Sequence, residues 1–189
     1  MGLVLLEGPT EPLVTTEEAQ LHVRSDAAEE ATYVGDLVTA ATAQAEAFCR
    51  RRFVSQRWRL TLDAFPDDAI APPYPPLASV EAVQYVDSKG AWQTVDAADY
   101  VVRTAETPGE IVPAYGTSWP SPRSTNDAVR IDFTCGYGAA ADVPQGIKRA
   151  VLLIVGSLYA NRETIAPVTM SEIPQSATWM LSPFRVWRF

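Results

Sequence analysis

Apolar positions along this chain recur first at helical spacing, then alternate, then return to helical spacing. The first fourteen residues read as extended, because Pro9 and Pro12 disfavour helix. Thr15-Thr16-Glu17-Glu18 has the form of a capping box, with a hydroxyl and a carboxylate exchanging bonds with each other's backbone amides. It predicts a short helix to about Arg24. Ser25 and Asp26 restart the pattern, and Glu29 and Glu30 suit the first turn of a second helix. Val34, Leu37, Val38, Ala41, Ala45 and Phe48 then form an apolar stripe. This second helix is expected to run to about Arg51, roughly 35 Å at 1.5 Å per residue. Arg50, Arg51 and Arg52 are expected in its last turn, where the helix dipole favours cations.

Beyond Arg52 the period becomes two. Trp58, Leu60 and Leu62 alternate with Arg57, Arg59, Thr61 and Asp63, the pattern of a half-buried strand. Pro72, Pro73, Pro75 and Pro76 make a turn. Val80 to Val86 and Ala91 to Val95 read as a hairpin around Asp87-Ser88-Lys89-Gly90. Shorter strands are expected at Tyr100 to Arg103 and Glu110 to Val112, then a long loop over 113–127, then a strand from Ala128 to Thr134. Asp142-Val143-Pro144 opens a third helix with Pro in its first turn. Its stripe is Ile147, Val151, Ile154, Val155 and Leu158, and Gly146 and Gly156 allow close packing. Residues 164–189 hold Pro167, Pro174 and Pro183 and no clear period. The predicted fold is α+β: a small bundle of three main helices (about 16–24, 27–51 and 143–162), an antiparallel β insertion (about 56–135) between helices two and three, and an extended C-terminal tail. The domain is placed at 1–166 and the tail at 167–189.

Length and composition fit one domain, with 189 residues of which 47% are hydrophobic. No apolar run reaches the roughly 18 residues of a membrane span, and Met1-Gly2-Leu3-Val4 has no secretory character. The net charge of −8 is unevenly spread. Residues 49–60 hold five Arg and no acid, whereas residues 1–48 hold nine acids against one Arg. An overall acidic chain is a poor candidate for gripping DNA phosphates. A ring of such subunits would carry surfaces of opposite sign.

Candidate catalytic chemistry is sparse. His22 is the sole histidine, and no partner for it is visible in the sequence. Cys49 and Cys135 lie far apart in no metal spacing and read as reduced, half-buried thiols. Gly136-Tyr137-Gly138 lacks the pattern of a phosphate loop. Asp67-Asp68 sits in a proline-rich turn with no supporting ligands. No enzyme activity, cofactor or metal is expected. Arg50, Arg51, Arg52, Arg57 and Arg59 form one basic patch, read as capping a helix and pairing with acids of a neighbouring subunit rather than as a nucleic-acid site. The tail carries Met170, Trp179, Met180, Phe184, Arg185, Trp187, Arg188 and Phe189. So many aromatics outside a periodic element suit either a segment folded back on its own domain or anchors that bury themselves in a partner. The second reading is preferred.

Several stretches, in order, resemble one family. They are Glu11 to Ala19 with Leu21-His22-Val23-Arg24; Gln56-Arg57-Trp58-Arg59-Leu60 with Asp63 and Phe65-Pro66; Pro76-Leu77-Ala78-Ser79-Val80 with Val83 and Tyr85; and Trp119-Pro120. Phe133-Thr134-Cys135-Gly136-Tyr137-Gly138 follows, then Val143-Pro144 and a helix ending Tyr159-Ala160-Asn161-Arg162-Glu163. Across about residues 10–163 the chain resembles the head–tail adaptor (connector) proteins of long-tailed bacteriophages and gene-transfer agents. Arg50-Arg51-Arg52 is more basic than that family's pattern.

The resemblance implies a structural ring in the particle neck, usually of twelve copies, between the portal protein and the next neck or tail protein, with DNA passing through it. On this reading residues 167–189 dock on the portal, and the isolated subunit associates weakly at most. The channel lining is acidic or neutral, drawn from Asp26 to Glu46 or Asp87 to Asp99. A stopper or tail-terminator ring is the alternative within the neck, and a small hydrolase is the alternative outside it.

Overall fold

In the computed structural model, which describes residues 1–25, 27–161 and 173–187, the change of period in the sequence marks a change of structure. The chain forms two units, Met1–Thr10 with Ser55–Tyr137, and Glu11–Val54 with Gly138–Phe189.

The first unit is built on a five-stranded antiparallel sheet. Its strands are β1 (Gly2–Glu7), β2 (Gln56–Leu62), β3 (Leu77–Val86), β4 (Trp92–Thr94) and β7 (Val129–Cys135), in the order β1-β2-β7-β3-β4. β5 (Tyr100–Arg103) and β6 (Glu110–Pro113) form a separate two-stranded ribbon. The alternation read from the sequence appears directly in β7, where Val129, Ile131, Phe133 and Cys135 are buried and the residues between them are not. Leu60, Val83 and Ile111 complete the core, with Trp58, Phe65 and Trp119 packed against it. The loop over 113–127 is held by aromatic stacking, since the Trp119 and Phe65 rings lie 4.9 Å apart and 5° from parallel. The hairpin forms where Asp87 predicts it. Its carboxylate accepts bonds from the Lys89 and Ala91 amides, both at 2.9 Å. Those bonds and one from Gln93 hold the Asp87 carboxyl below its ordinary range.

Residues 1–14 are extended, as expected, but Gly2–Glu7 joins this sheet as an edge strand against β2. The sheet is therefore not assembled from an insertion alone. Periodicity could not give this, because a six-residue segment shows its pairing partner only in the folded chain.

The second unit is helical. α1 spans Thr16–Val23, α2 Ala31–Cys49, α3 Gln145–Ala160 and α4 Gln175–Leu181. The capping box is present: the Thr15 hydroxyl accepts from the Glu18 amide at 3.1 Å and Glu18 accepts from the Thr15 amide at 3.0 Å. Val34, Val38, Ala41 and Ala45 of α2, and Ile147, Val151, Ile154 and Val155 of α3, are buried as their spacing predicts. α2 packs on α3, and α3 packs on α4. The His22 ring packs over Gly156, 3.5 Å from where a Cβ on that glycine would be.

Four expectations are corrected here. The tail is not extended throughout its described part, 173–187, because Gln175–Leu181 is a helix with Ala177 and Leu181 buried. Pro174 does not break this helix but stands at its N-cap, a place where no amide donor is missed. Pro144 likewise caps α3 rather than lying in its first turn. The second helix starts as a 3-10 turn at Ala28–Glu30 and stops at Cys49, about 28 Å of α-helix. Arg50 adopts the left-handed conformation at φ 55°, so the three arginines follow the helix instead of forming its last turn. The predicted end of the third helix at 162, and Met170, lie outside the described residues.

Candidate docking surface

α4 is amphipathic over two turns. Ala177 and Leu181, four apart, face inward, while Trp179 and Met180 between them are 74% and 42% exposed. The chain after α4 is tied to the end of α2. The Val186 amide donates to the Cys49 carbonyl at 3.0 Å, and the Cys49 thiol donates to the Leu181 carbonyl at 3.8 Å. Arg51 Nε–H donates to the Phe184 carbonyl at 2.5 Å. The Phe184 ring packs over Gly146, 3.4 Å from where a Cβ would be. The Arg185 guanidinium is stacked between two rings, 4.9 Å from the Phe48 centroid and 4.3 Å from that of Trp187. Trp187 is itself 62% exposed.

The segment therefore has two sides. Leu181, Phe184 and Val186 belong to the packing of their own unit. Trp179, Met180 and Trp187 present large apolar groups to solvent, with Arg185 held rigid behind Trp187. Arg188 and Phe189 lie outside the described residues.

The structure divides the predicted basic patch. Arg50, Arg51 and Arg52 belong to the helical unit, while Arg57 and Arg59 stand on β2. Arg52 pairs with Glu46 at 3.0 Å. Glu46 also accepts from the Phe53 amide at 2.9 Å, and burial pushes its carboxyl above the ordinary range despite these bonds. Arg57 pairs with Glu7 at 2.5 Å. Arg59 holds Asp132 through two bonds of 2.6 and 2.7 Å, and this carboxylate raises the guanidinium further above its already high range. Four of the five arginines thus bond within their own chain, and Arg50 is the exposed member.

The groups that a catalytic reading would use are placed differently. Burial pushes the Cys49 thiol up to about 11, the opposite of an activated nucleophile. Cys135 is buried in the sheet core. His22 lines a shallow groove with Val14, Leu21, Lys148, Arg149 and Leu152. Among the described residues no three His, Cys, Asp or Glu side chains gather as a metal site, and no helix is long and apolar enough to cross a membrane.

Two surfaces escaped the sequence reading. One is that groove, beside which Leu21 stands 83% exposed. The other is the outer edge of β1, with Val4 and Leu5 at 53% and 48% exposure. The available signal for β1 was a six-residue stretch, Gly2–Glu7, whose only charge is its last residue.

No protein-family model matches the chain, and no curated protein does. Solved structures do. A chain in the virion of a native gene transfer agent particle matches with a TM-score of 0.83 at 24% identity, covering 100% of this chain and 97% of that one. A chain in the neck of an empty gene transfer agent particle, computed with C6 symmetry, gives 0.82 at 26% identity with the same coverage. A third, in the neck of the native particle computed with C12 symmetry, gives 0.78 at 25% identity, again over the full chain. The head–tail connector resemblance carried by the chain's own motifs thus returns in three dimensions, and over its full length this protein is similar to the neck chains of gene-transfer-agent particles.

Proposed function

We propose that this chain is a structural, non-enzymatic neck protein, and within the neck the head–tail adaptor: a homo-oligomeric ring bound to the portal, through which DNA passes. The observation that carries this reading is the full-length likeness to chains of symmetric particle necks. The buried α2–α3 pair supports an adaptor over the strand-dominated stopper and terminator rings. The five-stranded sheet is the feature on which a stopper reading would rest. The small-hydrolase alternative finds little support in a thiol whose burial holds it protonated.

In this reading Trp179, Met180 and Trp187 are the portal anchors, and Arg185 orients Trp187. Hot spots of this type contribute on the order of 2 kcal/mol each, and repetition around a ring multiplies weak contacts into firm attachment. Replacing both Trp179 and Trp187 by Ala tests the assignment. The double variant should melt like the wild type yet fail to be captured by portal complexes. Normal capture would move the anchor elsewhere, and the groove at Leu21 would be the next candidate.

The channel lining draws on acids that are free to face it. Glu46 is buried and paired, and Asp87 is occupied by its own turn. Asp96 likewise accepts from the Ala98 amide at 2.9 Å, which leaves exposed Glu29, Asp36 and Asp99 among the described members of those blocks. The assembled ring should show no salt-dependent duplex binding at physiological ionic strength. Micromolar binding that disappears on replacing Arg50 by Glu would instead make the channel basic.

A further inference from the structure

We propose that the two ends of the sheet, β1 and β4, pair with each other between neighbouring copies of this chain, so that a strand ladder seals the ring. This rests on the ring reading and adds the surface through which copies meet.

A sheet edge is a row of unpaired amides and carbonyls, and folded proteins guard it with Lys, Pro, inward charges or a covering segment. Neither end of this sheet carries a Lys or Pro, and what limits each edge is length and regularity: β4 is three residues long and the β1 register shifts between Leu5 and Glu7. β1 has no Lys, Arg or Pro, and its single charge, Glu7, is paired with Arg57 of its own sheet. Val4 and Leu5 are half exposed on it. β4 is uncharged and exposed throughout. Its outward groups follow from the alternation of an antiparallel pair. The Val95 amide bonds to the Val83 carbonyl, and the Asp87 amide to the Ala91 carbonyl, both at 2.9 Å. Tyr85 and Gln93, opposite each other midway between those pairs, form the next bonded pair. Trp92 and Thr94 therefore direct their N–H and C=O groups away from β3.

Two ends that lack charged or proline guards favour a second copy over an unrelated strand. A foreign partner needs one edge, whereas a closed ring uses two different surfaces on every subunit, one meeting the other on the next copy. The geometry also fixes the sense of the pairing. The five strands are antiparallel neighbours, so β1, β7 and β4 run one way and β2 and β3 the other. A modest rotation from one copy to the next brings β4 beside β1 running in the same direction, which makes the ladder parallel. With only Trp92–Thr94 on one side the ladder is short. Each junction is weak alone, in keeping with a subunit that associates little until it is concentrated or held on a partner.

Amide hydrogen exchange across a concentration series of the full chain tests this, with native mass measured on the same samples. Oligomers should appear together with slowed exchange in both Gly2–Glu7 and Trp92–Thr94. Val4→Lys at one end and Thr94→Pro at the other should each abolish the slowing at both ends while the rest of the sheet keeps its protection. Thr94→Pro removes an outward amide donor and breaks no backbone bond to β3, though it takes away the hydroxyl that accepts from Gln84 Nε2 at 3.2 Å. Oligomers whose two edges exchange as fast as in the monomer would overturn the proposal and leave the ring reading intact. Dimers protected only at β1 would overturn it in favour of a two-fold β1–β1 pair. A chain that stays monomeric with fast edges at its highest soluble concentration would overturn it too, and the mass of the portal-bound complex would then decide the ring reading separately.

Discussion

The two terminal segments settle their backbones in opposite ways. Residues 2–7 bond along one side to β2 and leave the other side open, with Leu3 the member that packs on the sheet core. Residues 174–187 bond their backbone largely within a short helix and a 3-10 turn, with the rest tied to Cys49 and Arg51, and bury Ala177, Leu181 and Val186. An edge strand always keeps an unpaired row for another chain. A helix closes its own hydrogen bonds and offers other chains only side chains. The N-terminal segment is therefore suited to recognition through backbone, and the C-terminal segment to recognition through Trp179, Met180 and Trp187.

The contrast predicts unequal costs. Leu181→Ala empties a fully buried site and should destabilise the helical unit by about 3 kcal/mol, read as a lower denaturation midpoint. A change near zero would show the segment detached from its core. Deleting 174–189 should for the same reason weaken folding, so point substitutions on the exposed side are the proper test of docking. Leu3→Ala, on a half-buried edge, should cost only about 1 kcal/mol. If Leu3→Ala proves the costlier of the two, the comparison is reversed and β1 is the more deeply integrated end.

The smallest effect concerns the base on which the C-terminal segment rests. Glu46 lies one turn before Cys49, whose carbonyl receives Val186. Burial raises its carboxyl above the ordinary range of a glutamate. A carboxyl raised in the folded state favours folding most when protonated. Its contribution is complete below the unfolded-state value and declines as pH rises through the folded-state value. Glu46→Gln is neutral at every pH, so its stability relative to wild type should rise between pH 4 and pH 7. Equilibrium unfolding at several pH values checks this. A relative stability that falls with pH would show that the bonds to Phe53 and Arg52 outweigh desolvation.

Sequence legibility followed the length and regularity of each element. The stripes of α2 and α3 span several turns and name their own buried faces. β7 alternates without a break, and Asp87 to Gly90 announces its turn. The connector motifs are readable because they are linear, each resting on residues close together in the chain. The arginines mark the limit of a linear reading. Composition shows five cations together, but whether each is free depends on Glu7, Glu46 and Asp132, which the fold brings beside them from elsewhere in the chain.

By itself, then, the sequence determined the long periodic elements, their order, the Thr15 capping box and the family they resemble, because each of these rests on residues within a few positions of one another. Tertiary structure alone decided that Gly2–Glu7 becomes a sheet edge, that Pro174 starts a helix rather than preventing one, and which apolar residues of the C-terminal segment are core and which are surface. Those outcomes depend on partners distant in sequence: β2 for the first strand, and the Cys49 end of α2 together with Gly146 of α3 for the last helix. A short segment carries too few residues for its own period to choose among such partners, so the choice falls to the backbone bonds and buried area that only the assembled fold supplies.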